Sequence, residues 1–233
     1  MARIRYPRIT EKEWLGATSV EDLDLKRSTF GKHRKWRLFG CACVQRSLIL
    51  LSDVRCEDAL KATEDFADEV LSWPAVKTIR KSLYSIQTEL MLMGESTQIG
   101  PIIIAIQATS HKTPIKALDS IRYALDAFAS PGSTAPHWKK LRDREAVIQL
   151  MYAYDIFGNP FRPISFDSAW QTGTAVALAQ TMYDVRDFVA MPILADALED
   201  AGCEVPDILY HCRDPKGVHV RGCWVIDLVL GKS

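Results

Sequence analysis

Three things are scarce in this sequence: an excess of one charge, long apolar runs and catalytic signatures. Each scarcity removes a class of protein. Over 233 residues, 29 Lys and Arg balance 29 Asp and Glu, so no global field draws the chain to nucleic acid or to an anionic membrane. Apolar stretches such as residues 48–51 and 102–106 fall far short of the roughly 20 residues a bilayer-spanning helix needs. The opening MARIRYPRITEKEW has no apolar core of the signal-peptide kind. A cytoplasmic chain without a membrane partner is expected, its six cysteines held as thiols or metal ligands rather than disulfides. HExxH, GxSxG, GxGxxG and CxxC are all missing. The closing Gly231-Lys232-Ser233 imitates a phosphate loop, but Ile226 stands where that loop needs its first glycine and no helix follows. Alternating strand patterns are almost absent as well.

What is present reads as helix after helix, with 48% hydrophobic residues to bury. Thr10-Glu11-Lys12-Glu13 is a capping box, Ser19 caps a short helix, and residues 32–52 form a long helix that is apolar on nearly every face. Asp53 or a neighbour starts the next helix, and Pro74 sits in the first turn of the one after. Residues 100–109 are read as a short buried helix, and Thr113-Pro114 opens another. A long helix over 137–157 leads to the loop GNPFRPISF, then a helix beginning near Asp167 or Thr172. Pro192 and Pro206 open two more, and a last helix is expected over 218–230, stopped by Gly231, with Trp224 buried. The fold class that follows is all-α: a single domain over 1–233 of about nine or ten helices. Subdivision at the linker-like SPGSTAP, residues 130–136, is the alternative.

The chain ends with HCRDPKGVHVRGCWVIDLVLGKS, in which His211, Cys212, His219 and Cys223 crowd together, with Cys203 just upstream. On a helix from Val218, His219 and Cys223 are i and i+4, close enough to ligate one ion, and the DPKG turn returns His211 toward them. Cys203, His211, His219 and Cys223 are therefore a candidate zinc set. The reading taken first is a packed core, with a buried histidine bonded to a carboxylate such as Asp227, Asp207 or Asp196, and the zinc set stands as its alternative. The same His211, His219 and Cys223 are the catalytic candidates, as general base and nucleophile. Arg162, held between Pro160 and Pro163, is an anion-binding candidate, unless that loop only steers the chain and plugs the core with Phe157 and Phe161. Cys41 and Cys43 stand about 200° apart on a helix and read as small apolar fillers. Residues 1–37 carry ten Lys and Arg against five acids, and residues 53–72 carry seven acids against two bases. These faces are read first as solvated, and the basic arm leaves nucleic acid as a remote partner.

TEKEWL, RLFGCACVQR, DIFGNPFRP and the tail from MYDVRDF through MPILADALEDAGC to HCRDPKGVHVRGCWVIDLVLG resemble a family of bacterial proteins abundant in planctomycete-type genomes. The resemblance implies a bacterial cytoplasmic protein built as one unit, and brings no established activity. Relatives often read CACC where Val44 makes this chain CACV. The expectation is a binding or scaffold protein, with a protein partner or self-association and no cofactor unless zinc. An enzyme with its site at the tail is the alternative, and a nucleic-acid binder the second.

Overall fold

The computed structural model describes residues 9–23, 33–48, 53–92, 106 and 136–232. Among them every regular element is helical: the protein is all-α. The helices expected over 100–109 and after Thr113, and the linker up to residue 135, lie outside the described residues. No described helix is long and apolar enough to cross a membrane. The chain divides into two compact units, residues 1–150 and 151–233.

In the first unit the capping signals act as read. The Thr10 hydroxyl accepts from the Glu13 amide while the Glu13 carboxylate accepts from the Thr10 amide, opening α1 (Glu11–Leu15). Ser19 does the same for a 3₁₀ turn over Val20–Asp22. α2 (His33–Ser47) packs on α3 (Val54–Ala67), which packs on α4 (Trp73–Leu92). Cys41 and Cys43 are buried in that core as fillers. The charged faces pair within the unit: Arg34 meets Asp68 at 2.7 Å, and Arg55 joins Asp53 to Glu89. α5 (Pro136–Phe157) begins here, where its buried Glu145 receives Arg46 at 2.9 Å.

The second unit starts with the last turns of α5. After the proline loop and a 3₁₀ turn over Ser168–Trp170, Thr172 caps α6 (Gly173–Val185) by accepting from the Ala175 amide. Prolines in the first turn open α7 (Met191–Asp200) and α8 (Pro206–Arg213). α9 (Trp224–Val229) packs on α6 and α8, and α7 packs on α6 and α8. Their apolar faces, including Met182, Leu194, Leu198, Ile208, Val225, Ile226 and Val229, close on one core.

One helix is shorter than expected. Residues 218–222 are not helical, so α9 starts at Trp224. Gly222 takes φ 98, outside the helical region, and the Val220 amide is captured by the Asp155 carboxylate instead of a helix carbonyl. Trp224 is also only partly buried. Its indole lies over Gly158, where a Cβ would meet it at 3.2 Å, and against the ring of His211.

Candidate metal centre

Four donors from four local settings meet in the second unit. Asp155 comes from the last turn of α5, His211 from α8, His219 from the non-helical segment before α9, and Cys223 from the N-cap of α9. One ligand atom from each lies within 4.8 Å of all the others. His211 Nε2 is 3.2 Å from Cys223 Sγ and 3.2 Å from Asp155 Oδ1, while His219 Nδ1 is 2.8 Å from the same Oδ1. A tetrahedral zinc with bonds of about 2.0–2.3 Å spaces its donors about 3.3–3.8 Å apart, so the close pairs would open and the widest, at up to 4.8 Å, would close to reach the ion's dimensions.

The carboxylate is divided between two tasks. Its Oδ2 accepts the Val220 amide at 2.9 Å, which pins the segment carrying His219 and leaves Oδ1 facing the histidines. Asp155 is 2% exposed, and burial by itself raises its pKa. The hydrogen bonds to His211 and His219 outweigh that and hold the carboxyl below its ordinary value. Cys223 is the opposite case. Complete burial, then the neighbouring Asp155 charge, push its thiol far above the ordinary value, while backbone amides of Ile226 and Val225 pull the other way. Amide hydrogens directed at a sulfur stabilise thiolate, but here burial outweighs them. Two rings enclose the pair of histidines: Trp224 lies 5.1 Å from His211 and Phe188 lies 6.4 Å from His219, centroid to centroid.

The sequence set is thus corrected in one member. Cys203 is fully buried in the apolar core of the unit and is not among the four donors; Asp155 takes that position. None of the three carboxylates considered for a histidine fills the role either. Asp196 pairs with Arg213, Asp227 is buried outside the donor group, and Asp207 lies in the first turn of α8. His219 and Cys223 do meet, but through a turn and irregular backbone rather than along one helix. Arg162 is exposed in the turn closed by its amide on the Asn159 carbonyl, and is not part of the cluster. The one sequence signal for Asp155 is its place among Tyr152, Ala153, Ile156 and Phe157, a charge on a buried helical face. Comparison with protein-family models, with curated proteins and with solved structures gave no match.

Proposed function

We propose that the second unit is held together by a structural divalent metal, with zinc the ion its donors suit, in a helical binding or scaffold protein. The observation that carries this reading is the closed donor set. Two imidazoles, a thiol that a bound ion would deprotonate and one carboxylate oxygen lie within 4.8 Å of one another in a single compact unit, the number of donors a tetrahedral ion takes, and three of the four residues have side chains less than a tenth exposed. Catalytic zinc keeps a position for water or substrate, whereas structural zinc is fully ligated by protein. Such an ion joins α5, α8, the 214–223 segment and α9, and its binding energy becomes folding energy.

The enzyme alternative draws less support. The Cys223 thiol is buried and held protonated, the reverse of an activated nucleophile, and Arg162 stands outside the cluster. For nucleic-acid binding, Arg34 of the basic arm is engaged by Asp68 at 2.7 Å. On its tail signature we place the chain with the bacterial planctomycete-type family, as a cytoplasmic protein that works through a protein partner or self-association.

Elemental analysis of tag-free protein tests the metal. About one zinc per chain is expected, together with a sharp fall in melting temperature on chelation that Cys223→Ser copies. Protein without metal that takes up none when zinc is supplied, and melts unchanged in chelator, refutes the centre.

A further inference from the structure

Resting on that reading, we infer that zinc at this centre is bound by Nδ1 of His219 and Nε2 of His211, and that Gly217 is the positioning residue that imposes the Nδ1 mode. Histidine offers zinc either nitrogen, and the choice is set by what the opposite edge of the ring meets. Here the Nδ1 edge of His219 faces the cluster, 2.8 Å from Asp155 Oδ1. The Nε2 edge faces Gly217. A Cβ built on that glycine would lie 3.0 Å from Nε2 and 3.4 Å from Cε1. The two ring nitrogens point away from one another across the imidazole, so a ring seated this way cannot present Nε2 to the other donors. The walls prevent it from turning out, because the His211 ring stands edge-on at 4.9 Å and Phe188 covers another side.

Gly217 is not held as glycine by a positive φ, although a Cβ there would also meet the Asp214 carbonyl oxygen of its own turn at 3.0 Å. Among the described residues the glycines at positive φ are Gly158, Gly202, Gly222 and Gly231, and Gly217 is not one of them. Its turn is fixed by ordinary means: its amide donates to the Asp214 carbonyl at 3.0 Å, and the Lys216 amide donates to the Asp214 carboxylate at 2.9 Å. The missing Cβ leaves room for the imidazole on one side and for the Asp214 carbonyl oxygen on the other. With the metal-free ring donating its Nδ1 proton to Asp155, zinc takes Nδ1 and the proton of the neutral ring moves to Nε2.

The test uses the full chain, stripped of metal and reloaded with zinc alone. Nitrogen-15 NMR of labelled histidine, assigned with His219→Gln, reads which ring nitrogen carries the metal. One imidazole bound through Nδ1 and assigned to His219, with His211 bound through Nε2, is the expected result. Titration calorimetry should show Gly217→Ala binding zinc about ten-fold or more weaker than wild type, the scale on which displaced supporting groups lower metal affinity. Gly173→Ala should bind as wild type does, since a Cβ there meets nothing within 4 Å. Zinc bound with His219 in the Nε2 mode, or unchanged affinity in Gly217→Ala, overturns this inference and leaves the metal centre standing. A wild-type chain that takes up no zinc removes both. The NMR result on wild type decides the coordination mode even where Gly217→Ala folds poorly.

Discussion

Asp155 ties the His219 segment to α5 with or without an ion, and two substitutions separate its roles. In metal-free protein its carboxylate accepts the Val220 amide at 2.9 Å and meets His219 Nδ1 at 2.8 Å and His211 Nε2 at 3.2 Å, at 2% exposure. Asp155→Ala removes both acceptors. Each charge-assisted hydrogen bond contributes about 1.5–3 kcal/mol, and a stranded buried donor costs about 1–3 kcal/mol. Allowing for partial relaxation and for the burial cost no longer incurred by the charge, the net loss is about 3–5 kcal/mol. Asp155→Asn behaves differently. Its amide oxygen takes the Val220 amide, and its NH₂ donates to His219 Nδ1 once that ring holds its proton on Nε2. Only the surplus strength of the charged bonds is lost, about 1–2 kcal/mol. Native-state hydrogen exchange of the α8 and α9 amides, measured in chelator, reads these losses for the unit itself. Adding zinc should then widen the gap for both variants, because a neutral side chain replaces an anionic ligand. A zinc concentration of 100 times the dissociation constant stabilises wild type by about 2.7 kcal/mol. The reasoning fails if Asp155→Ala stays within about 1 kcal/mol of wild type in chelator, or if Asp155→Asn is the more damaging of the two there.

Gly158→Ala should destabilise the unit by about 1–3 kcal/mol in chemical denaturation, because the residue sits at φ 61 and its new methyl would press the Trp224 indole at 3.2 Å; an unchanged midpoint would show that the indole moves aside freely. Glu145 supplies a pH test of the first unit. Burial raises its pKa above the ordinary value despite the Arg46 contact, so its contribution to stability is fully present below the unfolded pKa and is lost as pH rises through the folded one. Glu145→Gln should therefore be more favourable, relative to wild type, at pH 7 than at pH 3.5, and denaturant midpoints that move the other way refute the assignment.

The elements that the sequence determined by itself are those whose signals act over two or three residues. Thr10 with Glu13, Asp53, Thr172, Pro192 and Pro206 each satisfy or spare amides in their own first turn, so their helices start where local chemistry says they start. The same locality exposed His211, His219 and Cys223 as a cluster. The fourth donor was out of reach: Asp155 lies 64 residues before His219, and no spacing rule connects the end of α5 to the α8–α9 turn. Carboxylates nearer in sequence were spent elsewhere, as with Asp196 on Arg213. The expected helix over 218–222 failed for the same cause. Its apolar pattern favoured continuing the helix, but Gly222 allowed the chain to leave it, and a buried carboxylate from α5 offered the Val220 amide a charge-assisted bond in place of a helical one. Packing alone brings that carboxylate there, and so it is the tertiary structure that turns three nearby residues into a four-donor centre.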